Sequence, residues 1–189
     1  MTTTTISPFL ERKLARRFRT YDSDGDGFIE QEDFALATTR MADAFGCGGT
    51  PVGQRLTEFA LQLWRQLAAA ADVDADGRIS LAEYKGAFAK GLLETPENFD
   101  KGYMPFLDAI MAIADTDGDG KLNPDEYVRW TGSLMRLPET DGREVFRKLD
   151  RDGDGYVTTT ELLNAIHEYY FNEDPHSSGS WLLGALDPE

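Results

Sequence analysis

One cysteine stands in 189 residues, so Cys47 has no partner for an internal disulfide, and a lone thiol suits a reducing compartment better than a secreted scaffold. No basic or histidine neighbour in sequence would lower its pKa, and Cys47 reads as a small, partly buried linker residue. The two histidines, His167 and His176, are separated in sequence with no cysteine near either, which argues against zinc. Basic residues are also scarce: 19 Lys and Arg stand against 34 Asp and Glu, for a formal charge of −15. Nucleic acid and anionic membrane select basic patches, so neither is expected as a partner. The longest apolar run, Leu67 to Ala71, is far too short to cross a bilayer, and the opening residues Met1 to Pro8 show no basic stretch leading into an apolar core. The chain is expected to be cytoplasmic. No Ser-His-Asp, Cys-His or glycine-rich phosphate motif is present, so it is expected not to be an enzyme.

What the chain has is a twelve-residue acidic pattern written four times. The clearest copy is Asp115-Thr-Asp117-Gly-Asp119-Gly120-Lys121-Leu122-Asn123-Pro-Asp-Glu126. Asp at positions one, three and five, Gly at six, an aliphatic at eight and Glu at twelve are what a loop needs to enclose a hard cation in oxygen. Asp115, Asp117 and Asp119 would each give a carboxylate oxygen, the backbone of Lys121 a carbonyl, Asn123 an oxygen directly or through water, and Glu126 two more. Loop two repeats this with Asp72, Asp74, Asp76, Arg78, Ser80 and Glu83, and loop four with Asp150, Asp152, Asp154, Tyr156, Thr158 and Glu161. Loop one carries Asp22, Asp24, Asp26, Phe28 and Glu30, and then Asp33 where the others have Glu.

Five fixed positions match by accident roughly once in a million starts at average residue usage, so the repetition decides the reading. These are EF-hand calcium loops. Four carboxylates in each of four loops account for nearly half of the acidic residues, so the charge is largely ion-binding capacity. Four divalent ions would bring the formal charge to about −7, compatible with ordinary solubility. Calcium, up to four ions, is the expected ligand. Asp33 is one methylene shorter than Glu and more apt to offer one oxygen than two, so magnesium is expected as an alternative occupant of the 22–33 loop.

The segments around the loops read as helices, giving an all-α fold. Leu10, Leu14, Phe18 and Tyr21 form one stripe after the Ser7-Pro8 start, and Phe34, Leu36, Met41 and Phe45 another that ends at Gly46-Cys-Gly48-Gly49-Thr-Pro51. A long helix from about Gln54 to Ala71 leads into loop two, and Leu81 to about Leu93 leaves it, ending before Thr95-Pro96. Phe99, Tyr103, Phe106, Leu107, Ile110 and Ile113 make the stripe entering loop three, with Pro105 expected to kink that helix or sit in its first turn. Pro124 to Leu137, Gly142 to Leu149 and Thr159 to about Phe171 complete the set. Position eight, Ile29, Ile79, Leu122 and Val157, is mostly β-branched, which predicts short antiparallel bridges pairing loop one with two and three with four. The organisation expected is therefore an EF-hand pair over 1–94 and a second over 95–189. Ser80, Asn123 and Thr158 are helix caps as well as ligands, with capping boxes expected in loops two and four. Trp181, Leu182, Leu183 and Leu186 are too apolar for a free terminus, so the tail 172–189 is expected to fold back on the core.

The four loops, the long first linker, Ala44-Phe45-Gly46 closing the first hand, and Phe171-Asn-Glu-Asp-Pro-His-Ser-Ser-Gly-Ser-Trp181-Leu-Leu-Gly184 resemble the sarcoplasmic calcium-binding protein family, its bacterial calerythrin branch especially. The resemblance spans nearly the whole chain. It implies two EF-hand pairs packed as a compact globule, monomeric, acting as a cytosolic calcium buffer or transporter. Members often carry one degenerate loop, commonly the second, yet Asp72 to Glu83 is intact here. A sensor would instead open a Met-rich groove for a target protein, whose identity the sequence does not give. The five methionines, Met1, Met41, Met104, Met111 and Met135, do not cluster as such a groove needs, which favours the buffer. A third reading, an interior chromophore site built from Trp64, Trp130, Trp181 and His167, is weaker, because large aromatics on helix stripes are core far more often than cofactor contacts.

Overall fold

The computed structural model describes residues 6–91 and 96–186. Each incoming helix runs unbroken into position one of its loop. The amide of Asp22 donates to Phe18 at 3.0 Å, Asp72 to Ala68 at 3.0 Å, Asp115 to Met111 at 3.0 Å and Asp150 to Phe146 at 2.9 Å, so the position-one aspartate closes the last helical turn. The incoming helices are α1 (Pro8–Tyr21), α3 (Pro51–Ala71), α5 (Pro96–Ala114) and α7 (Glu139–Leu149). The outgoing ones are α2 (Gln31–Ala44), α4 (Leu81–Ala89), α6 (Pro124–Met135) and α8 (Thr159–Phe171).

Ser7 caps α1 with Pro8 in its first turn, as the sequence predicts, and Thr50 does the same for α3 ahead of Pro51. That second cap carries α3 back to Pro51, earlier than the expected start near Gln54. Likewise α7 begins at Glu139 rather than Gly142, and α4 stops at Ala89. The expected end of α4 near Leu93 and the break at Thr95 lie outside the described residues, as do the side chains of Phe99 and Tyr103. Pro105 sits in the middle of α5 and not in its first turn. Leu36 was expected on the buried stripe of α2 but is exposed, because Phe34, Thr38 and Met41 define that face.

Position eight pairs as predicted. β1 (Phe28–Ile29) lies antiparallel to β2 (Ile79–Ser80) with Ile29 opposite Ile79, and β3 (Lys121–Leu122) to β4 (Val157–Thr158) with Leu122 opposite Val157. All four aliphatic side chains are fully buried, tying each loop pair to the core.

One hydrophobic cluster joins both pairs and the tail: Leu14, Phe34 and Trp64 share it with Leu107, Trp130, Leu162 and Leu183. Outgoing helices α2 and α6 pack against each other, and α3 packs on α5. Tail residues Ser178–Trp181 form a short 3-10 turn against α8 and α7, and Leu182 and Leu183 are buried beyond it. Arg16 of α1 donates to the Leu183 carbonyl at 2.7 Å, and Gly179 donates to the Glu168 carboxylate at 3.0 Å. The tail therefore folds back, though Trp181 stays half-exposed with the Lys148 ammonium 4.0 Å from its ring. A cavity of about 90 Å³ remains where the pairs meet, lined by Phe34, Ala60, Leu107, Trp130, Leu162 and Leu183 among others. Trp130 lines it, whereas Trp64, Trp181 and His167 do not.

Candidate metal centres

The loops owe their shape to their own backbone. At position six Gly27, Gly77, Gly120 and Gly155 have φ of 92°, 85°, 84° and 86°, a region costly to any residue with a Cβ. That turn aims each glycine amide at the position-one carboxylate: Gly27 to Asp22 at 3.1 Å, Gly77 to Asp72 at 3.2 Å, Gly120 to Asp115 at 2.9 Å and Gly155 to Asp150 at 3.1 Å. Position five donates to the carboxylate of position three in each loop, as Asp119 does to Asp117 at 3.2 Å. Position seven donates to position five at 2.9 Å in each, through the amides of Phe28, Arg78, Lys121 and Tyr156. Backbone donors thus aim mutually repelling carboxylates at one point in each loop.

The position-twelve carboxylate closes the ring. Glu126 accepts from the amides of Thr116 at 2.7 Å and Asn123 at 3.1 Å, Glu83 from Val73 at 3.2 Å and Ser80 at 2.9 Å, and Glu161 from Arg151 at 3.2 Å and Thr158 at 2.9 Å. Asp33 does the same work with a shorter side chain, accepting from Ser23 at 2.7 Å and Glu30 at 2.7 Å. Capping boxes therefore close all four outgoing helices, not only those after loops two and four. The Asn123–Glu126 box was within reach of the sequence, since Asn caps as Ser does and Glu follows three residues on.

Carboxylate oxygens converge to within 4.8 Å of one another in four groups: Asp22, Asp24 and Asp33; Asp72, Asp74 and Asp76; Asp115, Asp117 and Glu126; Asp150, Asp152 and Glu161. Asp26, Asp119 and Asp154 stand outside these groups, as does Glu83. The donor set is all oxygen, which suits a hard divalent cation. An independent sign of fit lies in loops two and four, where Asp72 Oδ1 and Asp150 Oδ1 are buried without a hydrogen-bond partner. Leaving a buried carboxylate oxygen unsatisfied is costly, and a cation at each loop's convergence point would satisfy the one there.

The loops differ in ways the pattern alone conceals. Position four is glycine in three loops, Gly25, Gly118 and Gly153, with φ of 80°, 75° and 71°; loop two forces Ala75 into the same region at φ 60°. Such a conformation costs a non-glycine residue about 1–2 kcal/mol. The recurrence of glycine at that position is the signal that could have found it. Loop one differs in burial: Asp22, Ser23 and Asp33 are all buried, and burial pushes the Asp33 carboxyl up from the usual range against three amide donors that pull it down. Glu83, half-exposed in loop two, is instead held below its usual range, first by the Ser80 amide. Position seven links loops within a pair. The Arg78 guanidinium lies 4.4 Å from the Phe28 ring, Lys121 Nζ 4.5 Å from the Tyr156 ring, and Lys121 also pairs with Asp154 at 3.0 Å.

Family models for an EF-hand domain pair match residues 11–89, for an EF hand residues 107–129, and for an EF-hand domain residues 143–171. A calcium-binding protein of known structure from Streptomyces coelicolor is 36% identical, with a TM-score of 0.76 over 93% of this chain and 99% of its own. Calerythrin from Saccharopolyspora erythraea is 29% identical over 84% of this chain and 90% of its length. The sarcoplasmic calcium-binding protein of amphioxus, at 19% identity and a TM-score of 0.75 over 97% of this chain and all of its own, shares the fold.

Proposed function

The chain belongs to the EF-hand family and binds calcium, and from that premise we propose that it works as a calcium buffer or transporter, filling up to four sites without exposing a docking surface. The ligands are the twenty-four residues of positions one, three, five, seven, nine and twelve in the four loops, with position seven acting through its carbonyl. Bound calcium would supply charge neutralisation and cross-link position one to position twelve, while this chain's backbone donors set where each carboxylate waits. The two pairs divide the chain at 94/95. The protein is monomeric, cytoplasmic and without enzymatic activity in this reading.

One observation carries the buffer reading: the apolar faces of both pairs are covered by each other and by the tail. Among the described residues the exposed large apolar side chains are Leu36 and Val73, on separate elements, and Met41 is fully buried. Met111 and Met135 pack against the core. A single such residue on a surface is ordinary; a target groove needs a contiguous patch. The sensor reading has its own support, since the Streptomyces coelicolor relative is described in terms of prokaryotic calcium-mediated regulation. In that reading the tail would have to leave the core when calcium binds. A calorimetric calcium titration run beside binding of an apolar dye separates the two. The buffer reading expects up to four equivalents of calcium and no rise in dye binding; a large calcium-dependent rise would replace it with the sensor.

A further inference from the structure

Loop one is tied to the second pair through two arginines, one on its own outgoing helix and one just beyond α6. Arg40, on its outgoing helix α2, donates from Nη2 to the Ser23 hydroxyl at 3.3 Å and to the Leu134 carbonyl at 3.4 Å, and from Nε to the Ser133 carbonyl at 3.2 Å. Arg136 comes from the opposite direction. It follows the last turn of α6, and its Nη2 donates to the backbone carbonyl of Asp22, the first ligand of loop one, at 2.5 Å and to that of Arg19 at 3.3 Å. Two guanidinium groups therefore bridge the first residues of loop one and the C-terminal end of the helix that leaves loop three.

The backbone at Arg136 is itself unusual. The amide of Leu137 bonds to Thr131 at 3.2 Å and that of Arg136 to Gly132 at 3.1 Å, the helix stop at which glycine is the usual residue. Arg136 occupies it with φ 57° and ψ 30°, a strained choice for a residue with a side chain. At the other end of the same helix sits Glu126, position twelve of loop three. Glu126 and the two contacts on loop one thus lie at opposite ends of α6, twelve residues from Pro124 to Met135.

We propose that Arg40 and Arg136 are positioning residues for the ion in loop one and couple its affinity to occupation of loop three. Calcium drawn to Glu126 fixes the register of α6; Arg136 and Arg40 then hold Asp22 and Ser23 in the geometry loop one needs. Coupling of this kind is reciprocal, so calcium in loop one favours loop three to the same degree. The inference rests on the calcium-binding reading of these loops.

The test is a thermodynamic cycle on the full chain, with calcium titrations followed by NMR. The amides of Gly27, Gly77, Gly120 and Gly155 each point at their own position-one carboxylate and so report the four loops separately. In the unaltered chain, Glu126→Gln is expected to weaken calcium at loop one by about fivefold or more, the low end of ordinary coupling. With Arg40→Met and Arg136→Met in place, the same change should alter loop one by less than about twofold, and the two arginine substitutions by themselves should leave the affinity of loop four unchanged. Arg129→Met is the control, because Arg129 ties α6 to the Ala44 carbonyl across the same interface without touching loop one; coupling should survive it. If the double variant does not fold, Arg136→Met alone, at an exposed position, must still shrink the effect of Glu126→Gln at least twofold. Equal coupling in every background, loss of coupling with Arg129→Met, or no effect of Glu126→Gln on loop one would each overturn the proposal. Failure of the calcium-binding reading would show separately, as no calcium-dependent movement of the Gly27 amide in the unaltered chain.

Discussion

Lys13 Nζ donates to the backbone carbonyl of Asn172 at 2.7 Å, so a buried ammonium on the first helix satisfies the end of the last. It also reaches the Glu168 carbonyl at 3.4 Å and lies against the rings of Phe9 and Tyr169. Burial lowers its pKa to about 8, against the opposing pull of Glu173 and Glu168.

That shift gives a pH dependence with a definite sign. Between about pH 8 and pH 10 the unfolded chain holds the Lys13 proton more tightly than the folded one, so stability rises with pH in that window. The window closes near pH 10, where buried Tyr127 and Tyr169, whose hydroxyls burial pushes up, begin to act in the opposite direction. Denaturant unfolding of the calcium-saturated protein at pH 7.5 and 9.5 should show the rise, and Lys13→Met should abolish it. An equal rise in the variant would assign the effect to another group.

Removing the metal should loosen the whole molecule. At a calcium concentration about a hundredfold above Kd each site contributes about 2.7 kcal/mol, and for a chain of this size each kcal/mol moves Tm by about 2–4 °C. With several sites filled, melting should therefore drop by at least about 10 °C when chelator replaces calcium. Calorimetric scans with and without chelator measure this, and coincident transitions would mean that the loops are too weak to matter to folding.

Ala75→Gly should stabilise loop two. The substitution releases a left-handed residue at φ 60°, worth about 1 kcal/mol, and should raise calcium affinity at that loop while leaving the other three unchanged. Site-resolved titration decides it; a loss of affinity would show that Ala75 stiffens the loop usefully.

Asp33→Glu should raise the preference of loop one for calcium over magnesium. The shorter carboxylate favours one coordinating oxygen over two, and six ligands at short distance suit magnesium. Competition titrations of the two ions at loop one should show the ratio change there alone. If the ratio stays put, Glu30 or the loop backbone sets the preference.

Truncation after Asp174 should cost stability and expose apolar surface. Leu182 and Leu183 are buried, and such side chains are worth about 1.5–3 kcal/mol each at full burial. The shortened chain should melt earlier and bind apolar dye with or without calcium. A truncated protein indistinguishable from the full chain would show that those leucines hold nothing in place.

The loops and their pairing could be read from residues because each requirement is local. A carboxylate every second position, a glycine at the reversal and an aliphatic at position eight fix the turn and the Ile29–Ile79 and Leu122–Val157 contacts without reference to distant chain. Helix starts followed caps, which is why Ser7 was legible and Thr50, hidden in a glycine-rich break, was not. What escaped the sequence depends on partners far along the chain. Nothing in the spacing of Arg40 or Arg136 announces Ser23 or Asp22, and the burial of Asp22 and Ser23 that marks loop one is equally silent in the sequence. Ala75 is the intermediate case, visible once its three counterparts are lined up and silent on its own.

The cavity of about 90 Å³ between the two pairs leaves the packing incomplete where the halves meet, and that seam is expected to be the softer part of the molecule. Protein interiors are otherwise packed as densely as organic crystals, so a void of this size, lined by residues of both pairs, concentrates compressibility along that seam. Unfolding eliminates the empty space and lowers the volume of the system, by tens of millilitres per mole on the order typical of small domains. Hydrostatic pressure should therefore part the pairs, or drive water between them, before it disturbs the loops.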